Sequence, residues 1–122
     1  MAIGKILIVD DDEDFAEALA ELCRKWGYAP TVVHSGKSAL QELEDEIFDF
    51  AIVDNVMPEI SGVDLVGAMR RGHYHLPVAM CTGFQTKEIQ AKANGLRIAD
   101  VLTKPLDQGR VKALIQANIR LN

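Results

Sequence analysis

Short apolar runs and stretches of helix-spaced apolar residues alternate along this chain. The first run, Ile-Gly-Lys-Ile-Leu-Ile-Val from Ile3 to Val9, is almost uninterrupted and stops at Asp10-Asp11-Asp12-Glu13-Asp14. A run this short, apolar at successive positions, predicts a strand covered on both faces. Phe15, Leu19, Leu22, Cys23 and Trp26 follow at the spacing of one helix face, with acids in the first turn and Arg24, Lys25 and Gly27 at the end. That pattern predicts a helix over about 14–26, its charges matched to the helix dipole.

The alternation continues. Residues 31–34 read as a short strand, and Ser35 as the cap of a helix that turns Ala39, Leu40 and Leu43 inward. Phe50 to Val53 is a buried strand that stops at Asp54, because an unpaired carboxylate is too costly to keep inside a sheet. Asp54 is therefore expected to emerge, exposed, at the strand's carboxyl end. Pro58 bars an immediate helix and biases Met57 toward extended geometry, which predicts a loop as far as Gly62. Val63, Val66 and Met69 mark a third helix, ended by Arg70-Arg71-Gly72. Val78 to Cys81 reads as a strand ending in Thr82-Gly83, and 86–94 as a short helix closed by Asn94-Gly95. Residues 101–103 form a fifth strand before Lys104-Pro105, and Val111, Leu114, Ile115 and Ile119 give the last helix. Five strands alternating with five helices imply right-handed crossovers and a parallel sheet with helices on both faces. No repeat, low-complexity tract or linker interrupts the pattern, so one domain over 1–122 is expected.

Composition narrows the class. The chain has 122 residues, 48% hydrophobic and 25% charged, enough to bury a core without staples. No apolar run reaches the roughly 20 residues of a membrane span, and the amino terminus leads into a strand pattern, so a cytoplasmic protein is expected. Cys23 and Cys81 fall on apolar positions and predict buried free thiols. The net charge of −5 does not favour nucleic acid, and there is no basic recognition segment to read DNA. Its distribution is uneven. Residues 83–122 hold seven bases (Lys87, Lys92, Arg97, Lys104, Arg110, Lys112, Arg120) against three acids, a net of +4, which leaves −9 on residues 1–82. Solvated helix faces account for this plainly; an acidic site with a basic partner surface is the sharper reading.

In parallel sheets of this kind, ligands bind outside the carboxyl ends of the strands, where the winding reverses. The polar residues fall at those ends: Asp10 and Asp11, Asp54, Thr82 and Lys104. Singly, each is an ordinary cap or turn residue. Together, three carboxylates repel one another and need a compensating cation. An all-oxygen cluster suits Mg2+, which takes one or two carboxylates along with phosphate oxygens. A hydroxyl and an ammonium complete a site complementary to a phosphoryl group, with Asp54 as the nucleophile.

The residues Asp10-Asp11 after Ile-Leu-Ile-Val, Asp54 with Met57-Pro58 and Gly62, Thr82 after Val-Ala-Met-Cys, and Lys104-Pro105 resemble the receiver domain of two-component response regulators over nearly the whole chain. The resemblance implies a flavodoxin-like (βα)5 fold, doubly wound, with a sheet of order 2-1-3-4-5. It implies Asp54 as phosphoacceptor, charged from a phosphohistidine on a sensor histidine kinase or phosphotransfer protein, with self-catalysed phosphorylation and dephosphorylation rather than turnover. Mg2+ is implied at Asp11 directly, at Asp10 largely through water, at Asp54, and at the Val56 carbonyl, with Thr82 and Lys104 reading the phosphoryl group. A slip of one residue would bring in Asp12. The partners implied are that kinase and a downstream protein target or an output domain, with neither nucleic acid nor membrane bound directly.

Two departures bear on the switch and on kinetics. Receivers usually carry an aromatic three residues before the lysine, where this chain has Val101. Pro77 to Phe84 resembles a minority branch with a Thr-Gly-aromatic strand end, which points to Gly83, Phe84 and the following helix as the moving part. Val56 and Phe84, two residues beyond Asp54 and Thr82, flank the expected path of attacking water, and as apolar residues they predict slow phosphoryl loss. Packing of Phe84 against its helix is the plain alternative. His34, His73 and His75 are expected on the surface away from the carboxylates, and Trp26 in the core. Two rival functions stay open: a haloacid dehalogenase-type phosphatase built on Asp10-Asp11-Asp12, which lacks the late acid pair because Asp100 and Asp107 stand apart, and a docking module that works without phosphorylation.

Overall fold

The computed structural model of the protein describes residues 3–119. Arg120, one of the seven bases counted above, lies outside them. Ten elements alternate along the chain: β1 (Lys5–Val9), α1 (Glu13–Lys25), β2 (Ala29–Val33), α2 (Gly36–Asp45), β3 (Phe50–Asp54), α3 (Gly62–Arg71), β4 (Val78–Thr82), α4 (Lys87–Gly95), β5 (Asp100–Thr103) and α5 (Gln108–Asn118). All strand pairs are parallel, in the order β2-β1-β3-β4-β5. This is the doubly wound, flavodoxin-like arrangement that the alternation and the resemblance imply. The winding reverses between β1 and β3, so Asp10 and Asp54 leave the sheet side by side.

The helices start where short polar side chains cap them. The side-chain oxygens of Asp12, Ser35, Ser61, Thr86 and Asp107 each accept from the backbone N–H three residues on. Such a cap stabilises a helix by about 1 kcal/mol. α1 and α5 cover one face of the sheet, where Ile6, Ile8, Phe50, Ile52, Cys81 and Leu102 pack against Leu19, Cys23, Val111 and Ile115. α2, α3 and α4 cover the other, where Leu7, Val9, Val53, Met80 and Val101 meet Leu43, Leu65, Met69 and Ala93. Each fully buried Leu, Ile or Met side chain contributes roughly 1.5–3 kcal/mol.

Successive strand residues point to opposite faces, and this alternation assigns the site residues to sides. Asp10, Asp54 and Lys104 continue the parity of Ile8, Ile52 and Leu102, toward α1 and α5. Thr82 continues the parity of Met80, toward α4.

Most boundaries differ from the sequence reading by a residue or two. The largest difference is at β2, which begins at Ala29 and includes Pro30, paired with Ile6. β2 lies at the sheet edge, where a strand can carry a proline because the missing N–H is not needed by an inner neighbour. Ile3 is exposed ahead of β1 rather than part of it. Trp26 is half-buried against the α1 and α5 core. Among the described residues no helix is long and apolar enough to cross a membrane. Cys23 and Cys81 are free and buried, and burial pushes their thiols up to about 11 and about 12.

Candidate functional site: an acidic pocket at the carboxyl edge

The side chains of Asp10, Asp11 and Asp54 each place a carboxylate oxygen within 4.8 Å of the others. Asp10 follows β1 and is 2% exposed; Asp11 is exposed. Asp54 differs from expectation. It is the last residue of β3, paired in register with Cys81, and only 7% exposed. A buried charge is tolerable there because Lys104 reaches in from the end of β5. Its Nζ donates to Asp10 Oδ2 at 3.1 Å and lies 3.6 Å from Asp54 Oδ1. The Val56 N–H approaches the same Asp54 oxygen at 3.4 Å.

The electrostatics follow from this crowding. Burial, and then the Asp10 charge, push the Asp54 carboxyl above its ordinary range, against the pull of Lys104 and the Val56 N–H. Burial of Lys104 alone would lower its ammonium, but the hydrogen bond and charge of Asp10, with the charge of Asp54, more than reverse this and hold it above its usual value. Asp10, Asp54 and Lys104 thus form two acids held by one base, with Asp11 at the mouth. This all-oxygen group could hold a metal ion.

The loop after β3 is shaped to bring its backbone back over the site. The Gly62 N–H donates to the Asn55 carbonyl at 2.9 Å, and the Val63 N–H to Asn55 Oδ1 at 3.2 Å. A Cβ on Gly62 would sit 2.5 Å from the Asp54 carbonyl oxygen and 2.8 Å from Asn55 Cα, so only glycine fits this crossing. Asn55 was not singled out from sequence; its signal was the polar side chain directly after the nucleophile candidate.

Thr82 is 2% exposed, and its hydroxyl is engaged with the following loop. Thr82 Oγ1 donates to the Phe84 carbonyl at 2.9 Å and accepts from the Phe84 N–H at 3.2 Å. Phe84 does not pack against α4, as the plain alternative had it: its side chain is 81% exposed, and Val56 is 70% exposed. Gly83 has no atoms within 4 Å of a Cβ position, so the loop has open space around it. Val101 is buried in the core beneath α4.

Three further residues were missed or misplaced in the sequence reading. His34 is not remote, since its Nδ1 lies 3.0 Å from the Asp10 carbonyl oxygen; the short β2 ends level with β1 and delivers it there. His73 and His75 do lie elsewhere, on the α3–β4 connection, with His75 beside Arg97. Gln85, which nothing in the sequence pattern singles out, donates from Nε2 to the Val101 carbonyl at 2.8 Å and to Thr103 Oγ1 at 2.7 Å, and accepts from Gln90 at 2.7 Å. Phe15, read only as core, stands over Lys104, with Nζ 4.2 Å from the ring centroid. Asp12 caps α1, its Oδ1 accepting from the Phe15 N–H at 3.1 Å, which accounts for the third acid of the run. Asp100 and Asp107 are occupied outside the pocket, with Arg110 and with the first turn of α5, and so supply no second acid pair for a dehalogenase-type site.

The response regulator receiver domain family matches residues 6–116. The chain belongs to that family. Among curated relatives, the transcriptional regulatory protein CpxR of Escherichia coli is 35% identical over 118 residues, covering 97% of this chain and 50% of CpxR. The transcriptional regulatory protein ZraR of Escherichia coli is 31% identical over 111 residues, covering 91% of this chain and 25% of ZraR. The chain thus spans a quarter to a half of the length of these relatives. A solved response regulator receiver protein from Pseudomonas putida superposes with a TM-score of 0.92 at 25% identity, covering 96% of this chain and 98% of that one. The receiver reading of the sequence therefore holds, and the dehalogenase and docking-module rivals gain no support.

Proposed function

We propose that this receiver accepts a phosphoryl group on Asp54 from a phosphohistidine of a histidine kinase or phosphotransfer protein. The observation that carries this reading is the buried Asp54 carboxylate, held beside one ammonium and two further carboxylates at the strand edge. In the transfer an Asp54 oxygen attacks phosphorus, the N–P bond breaks, and the departing imidazole nitrogen keeps the electron pair and takes a proton from water. The raised carboxyl of Asp54 marks a more basic, hence better, nucleophile than an exposed aspartate. Lys104 can turn from Asp10 and Asp54 to a phosphoryl oxygen. Thr82 can offer its hydroxyl to another once it leaves the Phe84 carbonyl.

Asp10, Asp11 and Asp54, with the Val56 carbonyl, would hold Mg2+, for which a carboxylate-rich oxygen set is suited. When bound, the ion supplies positive charge for phosphoryl oxygens. Its ligands fit, since Lys104 alone balances only one of three neighbouring negative charges.

The output follows from the Thr82 contact. Drawing the hydroxyl toward a phosphoryl group frees the Phe84 carbonyl, and the Gly83-Phe84 loop shifts, carrying α4 with it. With Val101 in place of an aromatic, the changed surface is the β4–α4 loop and α4. A separate protein target or an attached output domain, of the kind the longer transcriptional regulators suggest, would read it.

Incubation with Mg2+ and a small acyl phosphate tests the function. A stable mass gain of one phosphoryl group supports it. Phosphate release that persists in Asp54→Asn would instead indicate a phosphatase built on the Asp10-Asp11-Asp12 run, and no reaction would leave docking alone.

A further inference from the structure

The Lys104 ammonium is half-buried and lies against Asp10 Oδ2 at 3.1 Å, Asp54 Oδ1 at 3.6 Å and the face of the Phe15 ring, 4.2 Å from Nζ to centroid. The ring packs against the core under α1, and the start of that helix fixes its place. The Asp12 N–H donates to Asp10 Oδ1 at 2.9 Å, and Asp12 Oδ1 accepts from the Phe15 N–H at 3.1 Å, which fixes where α1 begins and hence where Phe15 stands. With Lys104 bonded to the other oxygen of Asp10, the four residues close a circuit: Asp10, Asp12, Phe15, Lys104 and back to Asp10. The parity of the sheet makes this possible, since Asp10 and Lys104 both point to the side that α1 covers.

We propose that Phe15 is a positioning residue for phosphoryl acceptance, holding the Lys104 ammonium beside Asp54 with a donor still free. A lysine ammonium has three N–H donors and no acceptor. A hydroxyl or carboxylate in place of the ring would occupy one of those donors, and a carboxylate would also cancel charge that a phosphoryl group needs. The aromatic face attracts the cation through its quadrupole without accepting a conventional hydrogen bond. It also screens one side of the ammonium from water, which strengthens its field at Asp54. The inference rests on Lys104 acting on a phosphoryl group, as set out above.

The test compares the wild-type chain with Phe15→Leu, which removes the ring but keeps an apolar side chain, and Phe15→Tyr, which restores a ring. Each protein is given Mg2+ and an acyl phosphate, and the rate of phosphoryl gain is followed by intact mass. NMR of the Lys104 ε-methylene protons reports the ring directly, because an aromatic face shifts protons above it upfield. The expected result is an upfield ε-methylene signal in the wild type and Phe15→Tyr that is lost in Phe15→Leu. Acceptance should be about three- to tenfold slower in Phe15→Leu and should recover in Phe15→Tyr. Thermal melting accompanies each variant, and if Phe15→Leu does not fold, Phe15→Met carries the same comparison. Equal rates in wild type and Phe15→Leu, or an unshifted ε-methylene signal in the wild type, would overturn the role of Phe15 while leaving the phosphoacceptor intact. A wild type that takes no phosphoryl group would overturn both.

Discussion

Asp54 is held in a position that disfavours its own charge. Burial and the neighbouring Asp10 raise its carboxyl, so the folded state binds a proton at Asp54 more readily than the unfolded chain does. The sign for stability follows: above the unfolded value the ionised Asp54 weakens the fold, and this loss fades as pH falls through the raised folded value. Asp54→Asn should therefore stabilise the apo protein near neutral pH by on the order of 1 kcal/mol, and the gain should shrink in acid; urea denaturation at several pH values checks both. Lys104→Met should do the opposite, destabilising the apo protein by roughly 1–3 kcal/mol at neutral pH because it leaves Asp10 and Asp54 facing each other unbalanced. Hydrolysis is governed at the same scale. Val56 and Phe84 are exposed and apolar, so a Phe84→Glu or Val56→Asn change should speed loss of phosphate several-fold by giving water a hydrogen-bonding partner, measured as the decay of the phosphorylated mass. Asp10, Asp11, Asp54, Thr82 and Lys104 were all legible as chemistry because the sequence puts a polar residue at each strand end. The burial of Asp54 was not, because what permits it is Lys104, fifty positions away in sequence and two strands over.

The loops between elements carry their own requirements. Gly62 begins α3 at the point where the chain crosses back over Asp54 and Asn55, and a methyl there would meet backbone at 2.5 and 2.8 Å. Gly62→Ala should cost about 1–3 kcal/mol, whereas Gly95→Ala at the end of α4, with nothing within 4 Å, should be neutral within about 1 kcal/mol; thermal melts of the two variants side by side make the comparison. α4 is the most lightly packed helix by its core contribution, burying only Ala93, and Gln85 joins its first half to the end of β5. Gln85→Leu should raise amide exchange across 85–95 in the unphosphorylated protein while leaving β1 and β3 unchanged. The elements themselves were readable from apolar period and capping residues, and all ten were anticipated. What could not be read was the contact of a loop glutamine with a carbonyl on another strand, because a hydrogen bond to backbone leaves no trace in the partner's side chain. The expectation that His34 was remote failed for a related reason: a strand end does not name its neighbour, and the pairing of Val33 with Val9 sets His34 beside the Asp10 carbonyl.

At the scale of the whole molecule, the fold gathers acids at one edge and disperses bases elsewhere. Two of the carboxyl-terminal bases, Lys92 and Arg110, pair with Glu88 and Asp100 on the surface, so the charge asymmetry of the sequence resolves partly into ordinary solvated faces. Lys104, by contrast, turns inward to the acidic edge. The order β2-β1-β3-β4-β5 explains the concentration of chemistry, since it sets the ends of β1 and β3 together with β4 and β5 adjacent. A divalent ion bound there should raise the melting temperature with the logarithm of its free concentration once that exceeds the dissociation constant, and chelation should reverse the rise. The most direct test of the account is to map the acceptor. After reaction with Mg2+ and acyl phosphate, borohydride reduction converts an aspartyl phosphate to homoserine, and tandem mass spectrometry of the peptides locates it. The conversion is expected at position 54, absent when Mg2+ is chelated and absent in Asp54→Asn. Conversion at Asp10 or Asp11, or none in the wild type, would contradict the account.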